Sequence, residues 1–243
     1  MSGTPAPMPP TLQGSVEHYY LQHPPYPTAT EEPGWVCALP KAQVVLRWIG
    51  SGCRVVDLGC HKGALGAAIR DAGNEVVGVD APELAHLARE TYGLPTIPHD
   101  LNEPLPFPDE AFDVVLAASV LDYIPQDLAF LGECRRIAAP GGRLVTVVPN
   151  AVSLLNRLKT LTGRVGRDFG RPDGYHNLNR YTLEGIKTLV AVAGFQVTAT
   201  AKCPLRDPHD PWLYWAERML PATFASDLAV LAVKVAETIG GVA

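Results

Sequence analysis

One stretch constrains the fold more than any other. In Val55-Val-Asp-Leu-Gly-Cys-His-Lys-Gly63 a buried β-branched run enters a turn bracketed by Gly59 and Gly63, and Ala64 to Ala72 continues at helical apolar spacing. A strand feeding a glycine turn and then a helix N-terminus opens a parallel α/β sheet, and glycines there let a ligand approach the backbone. The pattern then repeats. Glu75 to Val79 reads as strand, Pro82 to Thr91 as helix, Leu94 to Pro98 as a short strand, Phe112 to Ala118 as strand and Asp127 to Ile137 as helix. Pro140-Gly-Gly142 reads as a turn, Arg143 to Val148 as strand, Ala151 to Leu161 and Leu183 to Ala193 as helices, and Phe195 to Ala201 as strand. Helical Trp212 to Leu220 and an apolar run from Asp227 to Val235 close the chain. Alternation from 53 to 201, preceded by a helix at 41–49, predicts a three-layer, doubly wound, mostly parallel sheet with ligands at its strand carboxyl ends.

Two cofactor classes use such a turn. The dinucleotide fingerprint G-x-G-x-x-G needs glycine at position 61, where this chain has His61. Asp57 beside a pyrophosphate would be repelled, which disfavours a nicotinamide oxidoreductase, whereas beside the ammonium and sulfonium of S-adenosylmethionine it would be attracted. Asp80 closes the second strand, 23 residues after Asp57, where a carboxylate can accept both ribose hydroxyls. Asp100 follows the third strand and could accept from an adenine amino group.

These residues resemble the class I S-adenosylmethionine-dependent methyltransferases over roughly 53–201: Asp57, Gly59 and Gly63 match the acidic residue and glycines of the cofactor loop. Asp80, Asp100, Phe112-Asp-Val-Val115, Leu121-Asp-Tyr-Ile124 and Ile137-Ala-Ala-Pro-Gly-Gly142 match further. The resemblance implies a Rossmann-like methyltransferase fold with a seven-stranded sheet, and Asp57, Gly59, Cys60, Gly63, Asp80, Ala81, Asp100, Leu101 and Ser119 around the cofactor. It implies transfer of a methyl group to oxygen or nitrogen of a small-molecule acceptor, such as a secondary metabolite, with S-adenosylhomocysteine as product.

Segments like Asn150-x-x-Ser-Leu-Leu-x-Arg157 and His176-x-x-x-Arg-Tyr-Thr182 place a substrate lid at about 150–181 and, with it, Asn150, Arg180, Tyr181 and the candidate base His176. Ser119, Asp122 and Tyr123 would face the same crevice. His61 stands where the family has glycine, so the loop calls for positive φ at a residue type that tolerates it. His61 and the lack of an obvious base also support a different reading, a methyltransferase-like protein that binds the cofactor or a partner without methylating, as a regulatory subunit or a catalyst of another reaction.

Outside this core the sequence is less specific. Residues 1–40 hold nine prolines and no Lys or Arg, so 1–36 reads as a tail whose Tyr19 and Tyr20 fold over the site as a flap, ahead of one domain over 37–243. Trp212, Trp215 and Met219 recur at helical spacing, which points to packing or a homodimer contact. The net charge of −5 argues against a nucleic-acid partner, although 156–180 carries six basic residues against two acidic ones and could steer an acidic substrate. Five scattered cysteines without C-x-x-C spacing write neither a metal site nor a disulfide framework. With no apolar span or secretory start, the expectation is a cytoplasmic protein with no membrane partner.

Overall fold

A computed structural model describes residues 38–163, 178–204 and 211–235. Its seven strands are β1 (Arg54–Leu58), β2 (Glu75–Asp80), β3 (Thr96–Pro98), β4 (Phe112–Ala118), β5 (Ala138–Pro149), β6 (Phe195–Cys203) and β7 (Asp227–Lys234). They form one sheet in the order β3-β2-β1-β4-β5-β7-β6. The first five pair in parallel and β7 runs antiparallel between β5 and β6. Strand order reverses between β1 and β4, and the crevice outside their carboxyl ends is the binding position this topology provides.

Both faces of the sheet are covered, which is why β1 and β4 read as near-continuous apolar runs. Helices α1 (Pro40–Ile49), α2 (Ala64–Asp71) and α3 (Pro82–Tyr92) bury Ile49, Ile69 and Ala88 on one face with Val55, Leu116 and Val145. Helices α4 (Asp127–Ile137) and α6 (Leu183–Val192) cover the other, where Leu131, Ile137 and Ile186 meet Val115, Leu144 and Phe195. Prolines start α1 and α3, where a missing N–H costs nothing. Two further helices, α5 (Leu154–Leu161) and α7 (Pro211–Met219), lie beyond the layers. None of the described helices is long and apolar enough to cross a membrane.

The turn expected at Pro140-Gly-Gly142 lies inside β5 as an excursion from the ladder: Phe112 of β4 pairs with Ala138 and Val114 with Arg143, β7 pairs only from Arg143 onward, and Gly141 takes φ 70°. Of the two readings of the Trp212, Trp215 and Met219 stripe, internal packing does not hold, since the three are 57%, 58% and 82% exposed while α7 buries Leu213 and Glu217 instead; the outward face leaves the homodimer-contact reading standing.

The 105–109 connection to β4 has no regular structure and is held by the side chains of Arg136 and Glu133, the Leu105 N–H donating to Glu133 Oε2 (2.8 Å). Arg136 Nη1 donates to the Phe107 carbonyl (2.7 Å) and Asp109 Oδ1 (2.9 Å), Nη2 to the Leu105 carbonyl (2.9 Å) and Glu133 Oε2 (2.8 Å). Arg136→Ala strands two carbonyls and the Glu133 carboxylate, so thermal unfolding should show a loss of about 2 kcal/mol, roughly 4 to 8 °C, with cofactor affinity unchanged.

Candidate active site

The turn after β1 is shaped by close approach on two sides. Gly59 has φ +74° and Gly63 φ +85°, and both conformations suit glycine. A Cβ on Gly59 would lie 2.3 Å from Val120 Cγ2, and one on Gly63 would lie 2.8 Å from Ala88 Cβ. The turn is therefore wedged between the end of β4 and α3. Backbone N–H groups pin it to β2: Gly59 and Cys60 donate to the Val79 carbonyl (2.8 and 3.2 Å), and His61 donates to Asp80 Oδ2 (2.7 Å). His61 takes φ 51°, the positive value its position in the motif calls for, so the backbone follows the glycine path while carrying an imidazole.

Two carboxylates stand behind this turn. Asp57, within β1, is buried, and its Oδ2 has no hydrogen-bond partner; it lies 3.1 Å from where a Cβ on Gly66 would sit, beneath the first turns of α2. Burial, reinforced by the negative charge of Asp80, pushes the Asp57 carboxyl up to about 7. Asp80 accepts from the His61 N–H and, through Oδ1, from the Ala81 N–H (2.8 Å). Burial raises it to about 6, opposed by those two donors. A buried acidic pair with an unmatched oxygen is a local demand for positive charge.

Residues 56–146 match the methyltransferase domain family. The chain is 28% identical over 179 residues to a Mycolicibacterium smegmatis protein named as a probable S-adenosylmethionine-dependent methyltransferase, covering 72% of this chain and 64% of that one. It is 37% identical over 100 residues to a ubiquinone biosynthesis O-methyltransferase of Cereibacter sphaeroides, covering 39% of this chain and 40% of the relative. The match thus takes in less than two thirds of either relative's length. Among solved structures, an S-adenosylmethionine-dependent methyltransferase from Mesorhizobium loti superposes with a TM-score of 0.60 at 21% identity, covering 80% of this chain and 98% of that chain. A chain from the Haloferax volcanii complex containing the Trm112 methyltransferase activator superposes at 0.67 and 20% identity, covering 93% and 98%. Residues 56–146 therefore carry a methyltransferase domain, and the chain around it is similar to S-adenosylmethionine-dependent methyltransferases.

The residues present fit S-adenosylmethionine, the cofactor on which the relatives named above depend. The glycine turn leaves no side chain at its two tightest points, and the unmatched Asp57 oxygen and the Asp80 carboxylate suit a ligand bearing an ammonium, a sulfonium and ribose hydroxyls. The other expected contacts are arranged less uniformly. Asp100 Oδ1 accepts from the backbone and side-chain N–H groups of Asn102 (2.9 and 2.8 Å), closing the loop after β3. Ser119 sits at the mouth of β4 with φ 58°, its N–H on the Val147 carbonyl (2.7 Å). Ala81 is buried beside Asp80, and the Leu101 side chain is buried in the core.

Cys60 points inward as well. Its Sγ would lie 2.7 Å from a Cβ on Gly78, and burial drives the thiol far above its ordinary range, so it is an apolar wall and not a nucleophile.

The expected lid residues divide. Tyr123 is half-buried in a 3₁₀ turn (Leu121–Tyr123) at the crevice, and Arg180 is exposed. Asn150 and Tyr181 are committed to framework bonds: Asn150 Nδ2 donates to the Thr223 and Ala225 carbonyls (3.0 and 2.8 Å), and the Tyr181 hydroxyl donates to Asp127 Oδ2 (2.8 Å). The two also bridge each other. They form the base of the segment that follows β5. His176, Tyr19 and Tyr20 lie outside the described residues.

Sequence reasoning passed over Asn179. Its Nδ2 donates to the Leu121 and Ile124 carbonyls (3.3 and 2.6 Å), and the Leu178 and Asn179 N–H groups donate to the Asp122 carbonyl (2.7 and 3.2 Å). The end of the segment is thereby tied to the loop after β4. An asparagine in a polar stretch carries no sequence signal for such a role; only the partners reveal it.

Proposed function

We propose that this chain transfers a methyl group from S-adenosylmethionine to oxygen or nitrogen of a small-molecule acceptor in the cytoplasm. The observation that carries the reading is the partnerless Asp57 oxygen buried behind a glycine turn whose His61 N–H orients Asp80. When bound, the cofactor supplies an electrophilic methyl on a positively charged sulfur with a good leaving group. Asp57 supplies negative charge toward the cofactor's cationic end, Asp80 accepts from its ribose hydroxyls, and Asp100 accepts from its adenine amino group. The glycine turn brings the backbone close. Rate then rests on holding the acceptor in line, which positioning alone can largely supply. Ser119, Asp122 and Tyr123 at the mouth of β4 are the acceptor side of the site, and His176 is the candidate base for a hydroxyl acceptor. Relatives named as ubiquinone biosynthesis O-methyltransferases support oxygen as the receiving atom and a small acceptor.

Calorimetric titration with S-adenosylmethionine and S-adenosylhomocysteine tests the cofactor site. Micromolar binding is expected, abolished by Asp80→Ala; no saturable heat with either ligand would sink the reading. The same titration has a required pH dependence. Asp57 must be ionised to attract a cation, and with its carboxyl raised to about 7, affinity should weaken about tenfold from pH 8 to pH 6. An affinity flat across that range would mean that Asp57 does not carry the contact.

A second reading is kept by one observation: His61 places an imidazole on the backbone path of a glycine. The fold itself is compatible with other chemistry, since the [4+2]-cyclase SpnF superposes at a TM-score of 0.58 and 17% identity, covering 79% of this chain and 80% of that chain. Cofactor binding without acceptor-dependent formation of S-adenosylhomocysteine across an acceptor screen would favour that reading.

A further inference from the structure

Two helices outside the sheet layers expose apolar side chains that the methyl-transfer reading does not use. On α7, Trp212, Trp215 and Met219 recur every three to four residues and so share one face, at 57%, 58% and 82% exposure. On α5, no residue is buried, and Leu158 and Leu161 are 44% and 83% exposed. The Arg157 guanidinium of α5 lies 4.4 Å over the ring of Phe224, in the 3₁₀ turn (Ala222–Phe224) that follows α7, which brings α5 against the chain leaving α7. Lone exposed leucines are ordinary on a soluble protein, but two tryptophans and a methionine on one helix face, next to a second helix with nothing buried, are not.

The charge around this patch identifies what it meets. The exposed charges on the two helices, Arg157 on α5 and Arg218 on α7, are positive, as is the half-buried Lys159 of α5; the single acid of α7, Glu217, is fully buried and accepts from the Ser226 N–H and hydroxyl (2.9 and 2.7 Å). The chain as a whole carries −5. A cationic rim on an otherwise acidic protein, surrounding tryptophan, leucine and methionine, is complementary to a surface that is anionic at its face and apolar beneath. A second copy of the same face would instead bring like charges together. A nucleic acid would gain nothing from Leu158, Leu161 and Met219.

We propose that α5 and α7 form a peripheral docking face for an anionic lipid surface. Docking of this kind needs no spanning helix, and it revises the expectation of no membrane partner drawn from the absence of one. The inference is independent of the acceptor's identity.

The test is co-sedimentation of the full chain with vesicles of equimolar phosphatidylglycerol and phosphatidylcholine and with pure phosphatidylcholine vesicles, with gel filtration and single-stranded oligonucleotide binding alongside. The wild-type chain should sediment with the anionic vesicles and at least about tenfold more weakly with the neutral ones, and 0.5 M salt should weaken binding by a similar factor. Trp212→Ser/Trp215→Ser/Met219→Ser should raise the half-saturating lipid concentration about tenfold or more while leaving the S-adenosylhomocysteine dissociation constant within about twofold, which shows that the variant is folded. Lys159→Glu/Arg218→Glu should lose the preference for anionic vesicles. The proposal is overturned if the wild-type chain stays in solution with anionic vesicles, if it binds neutral vesicles equally, or if the triple variant binds as the wild type does. It is overturned too if the triple variant only dissolves a dimer or only abolishes oligonucleotide binding, which would assign the face to a second copy or to nucleic acid.

Discussion

Asp57→Asn is expected to weaken S-adenosylmethionine and S-adenosylhomocysteine binding by about 30-fold or more, about 2 kcal/mol, while making the ligand-free protein more stable at pH 8. The two effects have one cause. The carboxylate is buried without a partner for Oδ2 and beside Asp80, so in the absence of ligand its charge is held at an energetic cost, and that same uncompensated charge attracts a cationic ligand. The sign with pH follows. A carboxyl raised from 3.8 to about 7 in the folded protein binds more protons folded than unfolded between those values, so ligand-free stability falls as pH rises from about 4 through 7. Asparagine removes that titration. Thermal unfolding from pH 5 to 8 should therefore show a flatter decline in the variant, with a gain of about 1 to 2 kcal/mol at pH 8. A variant less stable than wild type at pH 8, or one retaining full affinity, would show that Asp57 is instead a satisfied structural group.

Gly63→Ala should be the most damaging single methyl addition in the turn, lowering stability by about 3 kcal/mol, roughly 6 to 12 °C in the unfolding midpoint. Two penalties combine. At φ +85° an L side chain is strained, and the new Cβ would sit 2.8 Å from Ala88 Cβ and 3.2 Å from Ala88 Cα, atoms fixed to the α3 backbone that no rotamer change can move. The Gly59 clash differs, because its neighbour is a Val120 methyl that rotation can shift. Gly132→Ala is the internal control: this exposed glycine lies within α4, with nothing within 4 Å of an added Cβ, so alanine should stabilise by about 0.5 to 1 kcal/mol. Circular dichroism melts of the two variants should move in opposite directions.

The carboxylate and glycine turn after β1 was legible in the sequence because it is local. Asp57, Gly59, His61 and Gly63 fall within seven consecutive residues, and the demand for positive φ at His61 follows from glycine's usual place in the turn; the structure shows φ 51° there. Asp80 was legible as the end of the next strand, since successive parallel strands end side by side. The acceptor side was less so. Asn150 and Tyr181 lie in the segment associated with a lid, yet their side chains are used by carbonyls and a carboxylate 54 to 75 residues away in sequence, which no local pattern encodes. Asn179 went unremarked for the same reason.

What the sequence by itself determined is the alternation of strand and helix, the parallel core and the carboxylate and glycine set after β1, because each depends on periodicity or spacing within one short unit. What only the tertiary structure decided depends on long-range pairing. The strand β7 inserts antiparallel between β5 and β6, and the ladder between β4 and β5 resumes at Arg143 after an unpaired excursion at 139–142. The helical spacing of Trp212, Trp215 and Met219 was plain in the sequence, but whether that face turned inward or outward depended on which side of α7 carried Leu213 and Glu217 into the protein.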